Sequence, residues 1–171
     1  MLRTILAMAA AAVISSSALA ADKAPKEAMD FANSVASATA FEIQSSQLAQ
    51  KNAKSSEVKA FADQMIADHT KAAGEFKAAL QEAGITPPRD SMGVKDLANY
   101  EKLHLTTANS FDGAYVKAQL NAHEEAVAQF SGYAQNGQTT QLKAFAQKTL
   151  PTLEHHLQMI KAINQKMARA E

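Results

Sequence analysis

Residues 57–83 read EVKAFADQMIADHTKAAGEFKAALQEA, and the architecture of the chain can be worked out from this stretch outward. Its apolar residues recur every three or four positions, as on the buried face of an amphipathic helix. Either Ser55 or Ser56 suits the N-cap position, and Gly84 suits the left-handed residue that ends a helix. The pattern therefore predicts one long helix over 57–83.

Three further stretches repeat this periodicity, and they predict helices over 26–52, 108–135 and 139–168. The first and second helices, and the third and fourth, are separated by only a few residues, so each pair is predicted to be an antiparallel hairpin. The connection between the second and third helices is long enough to cross a bundle, and Val94–Leu105 within it has the pattern of a short fifth helix. We predict an all-α, ferritin-like four-helix bundle, with a simple up-and-down bundle carrying a floppy insertion as the alternative.

The composition supports helices and argues against several classes of protein. A length of 171 residues suits one domain with a sizeable core, and aromatic residues make up only 6% of this alanine-rich chain. The 17 basic residues are balanced by 17 acidic ones, which argues against a nucleic-acid partner. Because cysteine is absent from the sequence, disulfides, thiolate metal sites and cysteine nucleophiles are excluded.

The first twenty residues are predicted to be a signal peptide. Arg3 supplies a positive charge, residues 4–14 form a short apolar run, and Ala18-Leu19-Ala20 matches a cleavage motif. The apolar run is too short to span a bilayer, which needs about 20 apolar residues. We therefore expect cleavage after Ala20, a bundle domain over 21–171 without a transmembrane segment, and a periplasmic or secreted location.

Polar side chains interrupt the apolar face of each long helix, where an unpaired polar group is costly to bury. Helical wheels with about 100° per residue identify these interruptions. They are Glu42 in the first helix, His69 in the second, Asp112, Gln119 and His123 in the third, and His156 in the fourth. Of the adjacent histidines 155 and 156, only His156 is predicted to face inward.

These polar residues allow three interpretations. In the first, Glu42, His69, His123 and His156 bind a divalent transition metal, with Asp112 or Gln119 as a further ligand or a support for one. Imidazole and carboxylate suit Zn, Fe, Mn or Cu. In the second, Glu42 pairs with a protonated histidine in a polar network that fixes helix register. In the third, the residues have separate causes, and Asp112 merely stabilises the start of its helix.

A di-iron oxidase is disfavoured by the residues around the inward histidines. Di-iron carboxylate bundles use Glu-x-x-His motifs on two helices. The residues three positions before the inward histidines are Ile66, Leu120 and Leu153, so none of these histidines belongs to such a motif.

Taken together, the motifs resemble the exported bacterial proteins of domain-of-unknown-function family 4142. The matching residues are Glu42-Ile43 with Ser46 and Leu48-Ala49, Val58-x-x-Phe61-Ala62-x-x-Met65-Ile66-x-Asp68-His69, Phe111-Asp112-x-x-Tyr115 with Gln119 and His123, and Leu150-Pro151 with His156-Leu157. The resemblance covers nearly all of the expected mature chain and implies a ferritin-like bundle. It also implies that Glu42, His69, Asp112, His123 and His156 occupy the polar motif positions of the family, and it implies no reaction.

The sequence therefore predicts an envelope protein with a buried Glu/His/Asp cluster that binds a metal ion or forms a polar network. One alternative is a metal-dependent redox enzyme. Another is a cofactor-free interaction module that uses the surface around Val94–Leu105.

Overall fold

The computed structural model describes residues 24–169, which form five α-helices packed as a bundle and no strand. The helices are α1 (Lys26–Asn52), α2 (Ser56–Glu82), α3 (Val94–His104), α4 (Phe111–Asn136) and α5 (Thr140–Ala168). The all-α prediction is confirmed, and so is the short helix in the long connection. The predicted signal peptide, residues 1–20, lies outside the described residues.

Helix α2 is capped at both ends by residues that the sequence predicted for these positions. The hydroxyl of Ser55 caps it by accepting a hydrogen bond from the Val58 amide at 3.3 Å. At the other end Gly84 has a φ of +69°, which places it in the left-handed region. The Ile85 amide then donates to the Leu80 carbonyl at 2.9 Å, as in a Schellman cap.

Helix α4 begins three residues later than the predicted position 108. Residues 107–110 form a turn instead, in which the Ser110 amide donates to the Thr107 carbonyl at 3.0 Å. The first helical residue, Phe111, is completely buried. The apolar pattern alone did not separate this turn from the helix that follows it.

Side-chain contacts fix the directions of the four long helices. Near one end of the bundle the Ser46 and Tyr115 hydroxyls are 2.8 Å apart, and near the other end the rings of Phe31 and Phe130 are 5.3 Å apart, so α1 and α4 run antiparallel. Helices α1 and α2 form a hairpin, and so do α4 and α5, and both pairs are packed against each other. In the same way α5 packs antiparallel to α2.

The segment between α2 and α4 crosses the length of the bundle. Helix α2 ends beside Gly84, whereas α4 begins beside the loop that joins α1 to α2, where Asp112 meets Lys54. Helix α3 lies within this crossing segment and packs on α1 and α4. It exposes Val94, Leu97 and Leu105 to solvent.

Two apolar clusters fill the two ends of the bundle, and buried polar residues lie between them. One cluster contains Phe31, Phe76, Phe130, Phe145 and Leu153, and the other contains Phe41, Phe61, Met65, Tyr115 and Ile160. The buried polar residues are Glu42, Ser45, Ser46, His69, Gln119, His123, Thr149 and His156. Among residues 24–169, no helix is long and apolar enough to cross a bilayer.

The carboxylate of Asp112 connects the start of α4 to the loop between α1 and α2. Its oxygens accept hydrogen bonds from the Lys54 amide at 3.0 and 3.2 Å and from the Ser55 amide at 2.8 Å. We expect Asp112→Asn to lower the free energy of unfolding by about 1 kcal/mol, because charge-assisted bonds to a partly exposed loop are lost. Urea unfolding measures the loss, and an unchanged midpoint would contradict this anchoring role.

Candidate metal centre

Three histidines from three helices meet in the polar layer of the core. His69 of α2 is 8% exposed, and His123 of α4 and His156 of α5 are each 1% exposed. One ring nitrogen from each lies within 4.8 Å of the others, and the ring centroids are 5.5 to 5.8 Å apart. This spacing places three ligand atoms around a single point that an ion could occupy.

The ring of His123 is oriented by a backbone hydrogen bond. Its Nδ1 lies 2.9 Å from the carbonyl oxygen of Gln119, and a carbonyl can only accept, so Nδ1 carries the proton. In the neutral ring, Nε2 is then left with an unprotonated lone pair. Within residues 24–169, this buried Nε2 has no hydrogen-bond partner.

The ring of His156 is oriented by the carboxylate of Asp68. His156 Nε2 donates to Asp68 Oδ2 at 2.9 Å, and its buried Nδ1 has no partner among the described residues. Partial burial works to raise the pKa of Asp68, but hydrogen bonds from Gln64 and His156 hold it below its usual value. A charged carboxylate behind a histidine is the arrangement that orients many metal-binding imidazoles.

His69 supplies the third nitrogen without a partner in the described part of the chain, its buried Nε2. The pKa of His69 is lowered to about 3. Burial is the largest cause, His123 and His156 add to it, and Asp68 opposes it. Burial also lowers the pKa of His156. Both rings are therefore neutral near pH 7, which is the state in which imidazole binds metals.

Glu42 of α1 lies beside the histidines but outside their cluster. It is 4% exposed, and its Oε1 is 3.8 Å from Nδ1 of His123, on the side of the ring that faces Gln119. Its Oε2 is buried and has no hydrogen-bond partner among residues 24–169. Burial raises the pKa of Glu42, although His123 and Gln119 act to lower it.

A small polar network holds Gln119 and the α1 serines in place next to Glu42. Gln119 Nε2 donates to Ser45 Oγ at 3.1 Å, and Ser45 Oγ donates to the Glu42 carbonyl at 3.3 Å. The hydroxyls of Ser46 and Tyr115 form a separate bond one layer further along α1 and α4. These contacts fix the register between α1 and α4 at the level of the histidines.

The structure brings together four of the five predicted site residues and places the fifth elsewhere. Glu42, His69, His123 and His156 share one layer. Asp112 does not reach them, because 11 residues of helix at about 1.5 Å each separate it from His123 along α4, and it binds the loop between α1 and α2.

Sequence reasoning missed the part that Asp68 plays. Its signal was present, because Asp68 directly precedes His69 at the edge of the apolar stripe of α2.

The chain also contains one Glu-x-x-His sequence, from Glu101 to His104 of α3, but both residues are exposed on the surface of the bundle.

The comparison with family models identifies the chain. The model described as Domain of unknown function (DUF4142) matches residues 14–163. The chain belongs to this family. No curated protein and no solved structure matches it. The DUF4142 match contains all three histidines, Glu42 and Asp68, so the whole candidate site lies in the DUF4142 domain.

The folding stability of this DUF4142 domain is expected to fall at acid pH because His69 is buried. Its pKa of about 3 in the folded chain compares with an ordinary value of 6.5. Between these values the unfolded chain binds a proton that the folded chain does not, so stability present above pH 6.5 is lost as the pH falls. From about pH 7.5 to about pH 5, we expect the chelator-treated protein to lose about 2 kcal/mol relative to His69→Leu.

Urea unfolding of both proteins in chelator across this pH range measures the difference. The groups that face His69 are Asp68 on its own helix, His123, His156 and, beyond His123, Glu42. Glu42 has a raised pKa, so its contribution to stability changes with pH in the opposite direction. Because Glu42 is present in both proteins, this contribution cancels in the comparison. Parallel pH curves for the two proteins would contradict a neutral, buried His69.

Proposed function

We propose that this protein binds one divalent transition-metal ion through Nε2 of His69, Nε2 of His123 and Nδ1 of His156. Two observations carry the proposal: each of the three rings brings one nitrogen within 4.8 Å of the others, and each ring has one buried nitrogen, the one named here, without a hydrogen-bond partner among the described residues. The other nitrogens of His123 and His156 are bound to a carbonyl and a carboxylate, as is usual for metal ligands.

A metal ion accounts for this arrangement better than a polar network does. A network without a metal would pair its members, because a buried polar atom without a partner costs about 1–3 kcal/mol. Here the outer hydrogen bonds leave Nε2 of His123 and Nδ1 of His156 both as acceptors, so these two cannot satisfy each other, and a proton on Nε2 of His69 would satisfy only one of them. A cation at the centre satisfies all three at once.

The charges around the histidines also favour a dication. Asp68 lies behind His156 and Glu42 lies beside His123, so carboxyl groups adjoin two of the three imidazoles. A bound dication would not be isolated in a low-dielectric core, because the ionised Asp68 would compensate part of its charge and the dication would itself favour the ionised form of Glu42.

The donor set narrows the choice among the metals named from the sequence. Three imidazole nitrogens suit zinc, copper and iron, whereas manganese prefers oxygen ligands. We favour zinc, which accepts three histidines and an open fourth position.

Metal content of protein purified without an affinity tag tests the proposal. We expect dialysis against zinc followed by elemental analysis to give about one ion per chain. His156→Leu is expected to lose the ion, and the neighbouring His155→Leu is the matched control, because His155 is exposed on the same turn. Equal zinc retention by the two variants, or no retention by the wild type, would overturn the proposal.

The two functional alternatives give different results in related assays. A metal-dependent redox enzyme would turn over oxygen or peroxide when it is loaded with iron or copper. A cofactor-free interaction module would hold no stoichiometric metal, and its melting temperature would not respond to chelator.

We also propose that the protein is exported and that the bundle is ferritin-like. Export is supported by Arg3, the apolar run over 4–14 and the motif ending at Ala20. The ferritin-like arrangement is supported by two hairpins joined through a segment that crosses the bundle. Intact mass of the protein from a periplasmic extract tests cleavage after Ala20.

A further inference from the structure

A small cavity of about 40 Å³ borders the histidine cluster. His69, His123, His156 and Glu42 all line it, and all four long helices contribute to its wall. Four small side chains line the cavity as well, and they are Ala38, Ala72, Ala122 and Ala126. Because one water needs about 10–15 Å³ of such space, the cavity has room for roughly three water-sized atoms.

Large apolar side chains form part of the wall of this cavity. Val35, Phe130, Phe145 and Leu153 line the cavity, and all four are buried. The rings of Phe130 and Phe145 are 5.8 Å apart and pack against each other. On this part of the wall, a molecule larger than a few atoms would have to displace these side chains from the packed core.

The three histidines leave one coordination position of a tetrahedral ion without a protein ligand. Three protein ligands and one exchangeable ligand are typical of catalytic zinc sites, whereas structural sites use four protein ligands. Glu42 does not belong to the group of atoms within 4.8 Å of one another, and its Oε1 lies near the outer nitrogen of His123. Because all three histidines also line the cavity, an ion that they hold would border it, and a fourth ligand could reach the ion from there.

We infer that the metal ion binds an exogenous ligand of two or three atoms in this cavity, and that larger ligands are excluded. This inference rests on the proposed metal site. Glu42 lines the same space and its buried Oε2 has no partner in the described chain, so its carboxyl group is available to hydrogen-bond a ligand that carries a proton. The substrate class is therefore a diatomic or triatomic molecule, and not an organic metabolite.

Cobalt(II) with azide tests the inference, because the visible spectrum of cobalt(II) depends on its ligands. Cobalt binding is measured first, by dialysis and elemental analysis. We expect the wild-type cobalt protein to change its spectrum on titration with azide, saturating at about one azide per cobalt. Acetate, which is larger, is expected to leave the spectrum unchanged.

A pair of α1 variants tests whether the cavity sets the size limit. Ala38→Leu fills the cavity from a helix that carries none of the three histidines. Ala40→Leu is the matched control, because Ala40 is on the same helix and lines a different groove. We expect both variants to bind cobalt, and only Ala38→Leu to lose the azide response.

The outcomes separate this inference from the proposed function. A wild-type protein that binds cobalt but does not respond to azide overturns the inference and leaves the metal site standing. A response to acetate equal to that for azide overturns the size limit and with it the inference. A wild-type protein that binds no cobalt and no zinc overturns both proposals. If Ala38→Leu binds no cobalt, the azide and acetate titrations of the wild type decide the question.

Discussion

Zinc is expected to raise the unfolding midpoint of the chelator-treated protein by about 8–16 °C. A ligand at about 1,000 times its dissociation constant adds about 4 kcal/mol to the free energy of unfolding, because it binds only the folded chain. In a domain of this size, each kcal/mol shifts the midpoint by about 2–4 °C. Thermal unfolding followed by circular dichroism, in chelator and then in excess zinc, measures the shift.

Two controls connect this shift to the histidine cluster. Magnesium should leave the midpoint unchanged, because it binds oxygen ligands rather than imidazole. His156→Leu should abolish the response to zinc, whereas His155→Leu should keep it, since only His156 is buried at the centre. An equal zinc response in both variants would mean that zinc acts elsewhere on the chain.

Asp68→Asn is expected to weaken zinc binding by about 10–100-fold, the usual cost of removing a carboxylate behind a ligating histidine. In the wild type, Asp68 Oδ2 accepts a hydrogen bond from His156 Nε2 at 2.9 Å, and this bond leaves the buried Nδ1 as the nitrogen that can bind a metal. The asparagine side chain lacks the negative charge that makes His156 a stronger metal ligand. Competition with a colorimetric chelator measures the dissociation constant.

The matched control for this variant is Asp112→Asn, the same substitution on a residue that binds a loop instead of a histidine. Asp112→Asn is expected to reduce stability and leave zinc affinity unchanged, because its partners are the Lys54 and Ser55 amides. Equal affinity losses in the two variants would contradict an orienting role for Asp68.

The helices and the inward-facing residues were predictable because they depend on local periodicity. The wheel of α5 selected His156 over His155, and the structure confirms this, since His156 is 1% exposed and His155 is exposed. The inward position of Glu42 followed from the apolar stripe of α1 in the same way. Such predictions need only the repeat of the helix and the cost of exposing apolar side chains.

The level at which the two hairpins meet was not predictable, because it depends on contacts between residues far apart in the sequence. The Ser46–Tyr115 pair and the bonds from Asp112 to the loop between α1 and α2 set this level, and nothing in the periodicity of either helix encodes it. The helical rise alone separates Asp112 from His123 by about 16 Å along α4, but it does not show which residues of the other hairpin lie at the level of each. Asp68 was missed because its partner, His156, is on another helix.

Anomalous diffraction from crystals of the tag-free protein grown with zinc tests the central claim most directly. The account predicts one strong peak in the core, about 2.0–2.1 Å from Nε2 of His69, Nε2 of His123 and Nδ1 of His156. A zinc peak bound only to surface residues, with the three histidines hydrogen-bonded to each other or to water, would contradict it.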